Sequence, residues 1–183
     1  MLEVNFSPFP QLQTERLLLR QMLAEDAPQI FALRSNPVSM QYLSKPLMQK
    51  EADALAFINL ITENLNNNVG ITWAVTLKEY PQQLIGTFGF WRIEKEHYRA
   101  EIGYMLLPEY FGKGYTTEAI FCGTNFAFSQ MKLHSIEANI DPENKASEAV
   151  LLKTGFVKEA YFKENFYYNG EFLDSAIFSL VRQ

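Results

Sequence analysis

The sequence predicts an α+β fold, in which a mixed, mostly antiparallel sheet carries helices on its faces. Two observations support this class. Strand-like and helix-like patterns occur in the order β, α, α, β, β, β, α, β, α, β, β along the 183 residues. Only short, turn-rich segments separate the three consecutive strands, and Asn169-Gly170 joins the last two. Such segments connect antiparallel neighbours in hairpins, so most of the sheet is expected to be antiparallel.

The N-terminal part is expected to contain one strand and two helices. Residues 15–22 (ERLLLRQM) have the composition of a strand. Residues 24–36 follow as a helix with acidic residues in its first turn, and Asn36-Pro37 ends it. Residues 48–66 form a longer helical pattern, because their apolar side chains recur on one stripe.

Three strands occupy the middle of the chain, at residues 71–78, 83–95 and 100–107. Gly86 and Gly89 lie inside the second of them. A glycine within a strand often marks a bulge or a close approach of two backbones, and we expect that here rather than a break.

The C-terminal part alternates between the two element types. Helical spacing extends from residue 114 to residue 131, and a strand follows at 134–140. The next segment, 141–156, is a helix with Asn144 as its N-cap and Gly155 as its C-terminal cap. Two long strands complete the chain.

Composition restricts the class of protein. The net charge of −5 argues against a nucleic-acid partner, because binding phosphates needs a basic surface. Cys122 is the only cysteine, which excludes an intramolecular disulfide and a thiol-rich metal site. No signal peptide and no membrane-spanning apolar run is recognisable. We therefore expect a single cytoplasmic domain, 1–183, without a metal or a membrane partner.

The segment PEYFGKGYTTEA (108–119) places Gly112-Lys113-Gly114 directly before a helix. A helix start has unpaired N–H groups and partial positive charge, and glycines let an anion approach them. The pattern fits neither a P-loop nor the dinucleotide fingerprint, in which Thr117 would be a glycine. A phosphate cradle and a simple tight turn both remain open on this pattern alone.

A second segment adds to this one. In NKASEAVLLKTGF, Asn144 precedes Gly155-Phe156 by eleven positions. Together with the glycine loop, this resembles the two signature segments of the GNAT superfamily of N-acetyltransferases. The opening TERLLLRQMLAEDA and the strand AEIGYML are similar to those of its RimJ/RimL branch, the ribosomal-protein N-terminal acetyltransferases and their relatives.

The resemblance implies a GNAT fold, with the sheet splayed near its middle to admit acetyl-CoA. It implies an amine acceptor, either a protein N-terminus or a small molecule such as a polyamine, an amino acid or an aminoglycoside, and a monomer or a homodimer. A CoA-binding module without catalysis is a further alternative. The implied cofactor contacts come from the strand end, the loop and the second signature helix: Met105, Leu106, Leu107, Gly112, Lys113, Gly114, Tyr115, Thr116, Asn144 and Ser147.

The chain departs from the family pattern at two positions. Glu109 stands where the family loop usually has Gln or Arg, so backbone amides and Lys113 must carry more of the phosphate binding. Leu151 stands where many members have a Tyr that protonates the departing thiol, so that role cannot be transferred.

Glu101 is the predicted general base, because an attacking ammonium must first lose its proton. It lies within a strand, and alternation places it on the same face as Gly103 and Met105. Partial burial would raise its pKa toward a useful value. The alternative is an exposed Glu101 paired with Arg99 or Lys95.

Ser147 is the second predicted catalytic residue. It follows Asn144 by one helical turn, and in the RimJ/RimL branch a Ser here commonly approaches the CoA sulfur, where it would stabilise or protonate the thiolate. The alternative is helix capping. Cys122 lies on an apolar helical stripe, so an inert thiol is expected there.

Overall fold

The computed structural model describes residues 1–182, which form one eight-stranded sheet and five α-helices. The strands are β1 (Leu12–Gln13), β2 (Leu17–Gln21), β3 (Ile71–Leu77), β4 (Tyr80–Glu94), β5 (Arg99–Leu106), β6 (Ser135–Ile140), β7 (Val157–Tyr168) and β8 (Glu171–Val181). The helices are α1 (Ala27–Ser35), α2 (Pro37–Met40), α3 (Glu51–Asn66), α4 (Tyr115–Ser129) and α5 (Lys145–Lys153).

The sheet has the order β1-β2-β3-β4-β5-β6-β8-β7 and is antiparallel except between β5 and β6. That parallel pairing extends only from Arg99↔Ser135 to Glu101↔Glu137. Beyond Glu101, β5 stays paired with β4, whereas β6 stays paired with β8. The sheet therefore parts between residues 102–106 of β5 and 138–140 of β6, and we call this gap the opening.

Helices cover both faces of the sheet. One face packs against α4 and α5 around a large core that includes Trp73, Phe88 and Phe90. Gly123 of α4 lies against the ring of Phe88, so that helix approaches the sheet closely. The other face packs against α1 and α3 through a smaller apolar cluster: Met22, Ala27, Ile30, Ala54, Ile58, Ala74 and Leu84.

A buried ion pair ties the sheet to the first helical layer. Arg20 of β2 donates to both carboxylate oxygens of Asp26, at 2.8 and 2.7 Å, in the turn before α1. Its Nε also donates to the carbonyl of Pro81 at 2.8 Å. This bidentate arrangement fixes where the chain leaves the sheet and enters α1.

The predicted fold class and element order are confirmed, with two additions. β1 has only two residues, too few for a periodic pattern. The sequence also missed α2, because Asn36-Pro37 both ends α1 and begins the next helix. The Asn36 side chain accepts from Val38 N at 2.8 Å, and Pro37 occupies the first helical position.

The predicted glycine and cap positions are also confirmed. A Cβ at Gly86 would overlap the carbonyl of Met105, and one at Gly89 would overlap that of Ile71, so both mark close backbone approaches. Asn144 caps α5 by accepting from Ser147 N. No helix within residues 1–182 combines the length and the hydropathy that crossing a bilayer requires.

Candidate active site

The loop before α4 has the geometry of an anion site. Gly112 and Gly114 have φ of +71° and +81°, a region that residues with side chains avoid. Gly114 is the N-cap of α4, and the first amide to bond within the helix is that of Glu118, to Gly114 O at 3.1 Å. The helix amides that precede it have no partner within the helix and follow an exposed loop, so they are available to a phosphate.

Arg16 holds this loop in place, a role that the sequence did not reveal. Its Nη1 donates to the carbonyl of Lys113 at 3.0 Å, and its Nε donates to Glu118 at 2.8 Å. Its guanidinium also lies 4.5 Å from the centroid of the Tyr115 ring. The residue just before β2 thus anchors the loop, and the only sequence signal for this role was the position of Arg16 in the TERLLLR opening.

Lys113 adds a positive charge beside the loop. Its Nζ lies 5.3 Å from the centroid of the Tyr110 ring, a cation–π distance. Glu109 is exposed within the turn Pro108–Tyr110. Lys113 and the backbone amides are therefore the groups of this loop that offer favourable charge to a phosphate, while Thr116 is half-buried in the first turn of α4.

The strand end predicted to meet the cofactor borders the opening. Met105 and Leu106 pair with Thr87 and Gly86 of β4, so their other backbone edge faces the opening. Leu107 N donates to Ile85 O at 2.9 Å. Leu106 and Leu107 are buried and Met105 is half-buried, so what this edge offers a ligand is chiefly backbone.

Glu101 lies where the opening begins. Only 8% of its surface is exposed, and its Oε2 accepts from Arg92 Nη1 at 2.8 Å. The alternative of an exposed Glu101 paired with Arg99 or Lys95 is wrong: burial by the sheet places the carboxyl inside, and Arg99 pairs with Glu94 and Glu137 instead.

Burial raises the pKa of the Glu101 carboxyl above its ordinary value, and the charge of Arg92 opposes that rise. The Arg92 side chain is 71% exposed, which weakens the opposition through solvent screening. A small polar cavity of about 50 Å³ adjoins the carboxyl, with room for water. Its lining is Arg92, Glu94, Arg99, Ala100, Glu101 and Glu137.

Trp91 covers the same face beside Glu101. The two residues are cross-strand partners, and the indole lies against Gly103, where a Cβ would overlap Cη2 of the ring. Trp91 is 44% exposed. It thus forms an accessible aromatic wall next to the carboxyl.

On the opposite face of β5, Ser147 meets a residue that the sequence did not single out. The Tyr104 hydroxyl and Ser147 Oγ are 2.6 Å apart. Ser147 is buried, and its backbone N donates to Asn144 Oδ1 at 3.0 Å. Burial raises the pKa of Tyr104 to about 12, although the hydrogen bond to Ser147 lowers it. Leu151, which occupies the position where many family members have a Tyr, is fully buried in the core. The phenol near Ser147 is instead that of Tyr104 on β5.

Glu101 and Ser147 therefore lie on opposite sides of the sheet. As predicted, Glu101, Gly103 and Met105 share one face of β5. That face is covered by α1 and α3, whereas Tyr104 faces α5. A ligand bound in the opening, in the plane of the sheet, would lie between the two faces that carry these groups. Cys122 is half-buried, and burial together with Glu118 raises the pKa of its thiol, which disfavours a nucleophilic role.

Comparison with known proteins assigns the family. Residues 16–157 match the family model described as an acetyltransferase (GNAT) domain. The chain belongs to the GNAT acetyltransferase family. The uncharacterized N-acetyltransferase YoaA of Bacillus subtilis is 36% identical over 174 residues, which cover 95% of this chain and 98% of YoaA. The protein is thus an acetyl-CoA-dependent N-acetyltransferase.

Solved GNAT structures share the fold over nearly the whole chain. An acetyltransferase of the GNAT family from Bacillus anthracis superimposes with a TM-score of 0.84 at 30% identity, covering 94% of this chain and 98% of the other. The ribosomal-protein-S5-alanine acetyltransferase of Vibrio fischeri gives 0.81 at 25%, with coverage of 94% and 96%. Spermidine N-acetyltransferase of Vibrio cholerae, solved with CoA and spermine, gives 0.80 at 25%, with coverage of 92% and 96%.

Proposed function

We propose that this N-acetyltransferase moves acetyl from acetyl-CoA to a primary amine by direct attack, with Glu101 as the base. One observation carries the proposal. The pairing of β5 and β6 stops at Glu101, a buried carboxyl lies at that point on one face, and a phenol–hydroxyl pair lies on the other. A thioester bound in the opening would have Glu101, the proton acceptor, on one side and the Tyr104–Ser147 pair, which would stabilise the thiolate, on the other.

The groups for holding acetyl-CoA follow the path from α4 to the opening. The amides at Gly112, Gly114, Tyr115 and Thr116 would take the pyrophosphate, supported by the charge of Lys113. The edge of β5 at Met105, Leu106 and Leu107 that does not pair with β4 would pair with the pantetheine in the manner of an added strand. There the pantetheine would replace the long hydrogen bond of 3.4 Å from Ser39 Oγ to Leu106 O. Asn144, across the opening on α5, would adjoin that arm while it caps its helix.

Glu101 would take the proton from the attacking amine, directly or through a water in the adjoining cavity. An α-ammonium has a pKa of about 7.7–8.0 and a lysine ammonium about 10.4, so the amine arrives protonated near neutrality. A carboxylate of raised pKa is a better match to either value than an ordinary one.

Tyr104 and Ser147 would stabilise the leaving thiolate by hydrogen bonding. A phenol with a pKa of about 12 stays protonated and is available as a donor. A thiol is a stronger acid than a phenol with a pKa of about 12, so full transfer of the Tyr104 proton to the leaving thiolate would be unfavourable. Donation of a hydrogen bond is therefore the role that this pair supports.

The proposed acceptor is the α-amine of a protein N-terminus, following the resemblance to the RimJ/RimL branch. The likeness to a ribosomal-protein-S5-alanine acetyltransferase supports this acceptor. The likeness to a spermidine N-acetyltransferase favours a small-molecule amine as the second candidate. The family assignment supports either enzyme over a CoA-binding module without catalysis.

The test of the acceptor measures CoA release from acetyl-CoA with two acceptor sets. One contains short peptides with a free N-terminal Ser, Ala or Met, and the other contains polyamines, amino acids and aminoglycosides. Turnover of the peptides alone would support the protein acceptor. Turnover of the second set alone would contradict it and select a small molecule.

The test of the base is Glu101→Gln. Loss of a general base typically costs about 10²–10⁴ in rate, so kcat should fall by that order while acetyl-CoA binding is retained. A wild-type rate from about pH 6 to about pH 9 would overturn the assignment.

Thermal unfolding provides the control for this variant. Because the folded state raises the pKa of Glu101, its stabilising contribution is present at low pH and is lost as pH rises through the folded value. Near neutrality Gln should therefore leave the melting temperature unchanged or higher. A clearly lower melting temperature would attribute the lost activity to unfolding.

A further inference from the structure

Arg34 is a half-buried cation that has no counterion within the described residues. Each of four other arginines holds a carboxylate: Arg16 with Glu118, Arg20 with Asp26, Arg92 with Glu101, and Arg99 with Glu137. Within residues 1–182, Arg34 makes no such ion pair. Its one side-chain hydrogen bond there joins Nη1 to Met105 Sδ at 3.6 Å, and a thioether is a weak acceptor.

Its neighbours hold the guanidinium without satisfying its charge. The carbon at the centre of the guanidinium lies 4.4 Å from the centroid of the Phe57 ring on α3. Burial disfavours the charged form and lowers the pKa of Arg34. A guanidinium offers five donors in a planar fork that matches a carboxylate or a phosphate. A partly desolvated one that lacks such a partner is prepared to bind an oxyanion.

The position of Arg34 connects it with the acceptor side of the opening. It lies in the last turn of α1, and Met105 shares a face of β5 with Glu101 and Gly103. Glu101 and Met105 are four positions apart, a span of about 13 Å along a strand. Trp91 lies beside Glu101 at the other end of this span. A substrate that reaches Glu101 from this face therefore has Arg34 within a few residues' length.

We propose that Arg34 binds an oxyanion of the acceptor, so that the enzyme selects amines that also carry a carboxylate or a phosphate. The inference rests on the proposed approach of the acceptor to Glu101. For a peptide acceptor, an extended chain spans about 3.3–3.6 Å per residue, which places the anionic group within about the first four residues. Polyamines carry only positive charge and would be repelled.

The experiment compares matched peptides that differ in one charge. Ser-Ala-Glu-Ala and Ser-Ala-Gln-Ala, both with amidated C-termini, are acetylated by wild type, Arg34→Gln, Arg34→Lys and Lys78→Gln. Lys78 is exposed in the turn between β3 and β4, so its variant matches the loss of charge away from the site. A phosphoserine at the third position, and a Gln peptide with a free C-terminal carboxylate, show which oxyanion is preferred.

Wild type should favour the Glu or phosphoserine peptide over the Gln peptide in kcat/KM. Arg34→Gln should reduce that preference by roughly ten- to a hundredfold, the range for a charge-assisted hydrogen bond. Arg34→Lys should restore part of it, because Lys keeps the charge but not the planar fork. Lys78→Gln should leave the preference unchanged.

Three outcomes would overturn the proposal: no preference in wild type, an equal loss for acidic and neutral peptides in Arg34→Gln, or a raised KM for acetyl-CoA in that variant. Titration of the peptides into CoA-saturated enzyme measures the same preference without turnover. A preference in binding that depends on Arg34, without acetylation, would support the site and contradict the proposed acceptor. Acetylation of the peptides without any preference for the acidic ones would support the proposed acceptor and contradict the Arg34 site.

Discussion

At the scale of single residues, the site depends on how β5 distributes its polar side chains. Glu101 is buried beside an exposed arginine, and Tyr104 is hydrogen bonded to Ser147 on the other face. Both groups have raised pKa values, and burial is the main cause in each case. The same physical effect thus produces a stronger base on one side and a phenol that remains protonated on the other.

Arg92→Gln tests the electrostatics of Glu101. Removing the cation removes an influence that lowers the pKa of Glu101, so that pKa should rise further. A base works only when deprotonated, and the acid limb of the kcat/KM profile should therefore move to higher pH. The measurement is the pH profile of both enzymes at saturating acetyl-CoA, with Lys78→Gln as the control for net charge. An acid limb that stays in place would separate Arg92 from the base.

At the scale of elements, the start of α4 combines glycines in the left-handed region with amides that have no partner within the helix. Gly114 caps the helix with φ of +81°, and Arg16 holds the carbonyl of the preceding Lys113. Gly155 has φ of +91° for a different reason, because it follows the end of α5, whereas Gly114 begins α4. The two glycines have similar backbone conformations, but one starts a helix and the other follows the end of one.

Gly114→Ala and Gly155→Ala form a matched pair. An alanine in the left-handed region costs about 1–2 kcal/mol, so both variants should lose stability of that order. A Cβ would have ordinary contacts of 3.5 Å at either site. Only Gly114→Ala should also raise the KM for acetyl-CoA, since it changes the loop that binds the phosphates. Equal values of this KM in the two variants would contradict the phosphate site.

At the scale of the whole molecule, the opening depends on the two helical layers being fixed on opposite faces of one sheet. The larger core holds α4 and α5, and the smaller apolar cluster holds α1 and α3. The Arg20–Asp26 pair connects the smaller layer to β2. The positions of Arg34 and of the acceptor face therefore depend on that connection.

Asp26→Ala should destabilise the whole protein. It leaves Arg20 buried without its partner, and breaking one side of a buried pair costs about 3–5 kcal/mol. Chemical denaturation measures the free energy of unfolding. Asp53→Ala, which removes an exposed carboxylate at the start of α3, should cost less. Similar losses in the two variants would mean that the Arg20–Asp26 pair contributes no more than an ordinary helix cap.

Local patterns account for the parts of the fold that the sequence predicted. The Asn169-Gly170 turn has φ of 51° and 92° at its two residues, which such a dipeptide adopts readily. Asn144 and Gly155 bound α5 as its spacing indicated. α2 was not predicted because it has only four residues, which is too short to show helical periodicity.

By itself, the sequence determined the fold class, the order of the main elements, the glycine loop before α4 and the face of β5 that Glu101 shares with Gly103 and Met105. Each follows from spacing or backbone preference within a short segment. Only the tertiary structure decided that Tyr104 meets Ser147 and that Arg92 rather than Arg99 pairs with Glu101. It also decided that Arg34 contacts Met105 and pairs with no carboxylate of residues 1–182. Tyr104 and Ser147 are 43 residues apart in the chain, and Arg34 and Met105 are 71 apart. Contacts at such separations depend on how strands pair and helices pack, which no local pattern specifies.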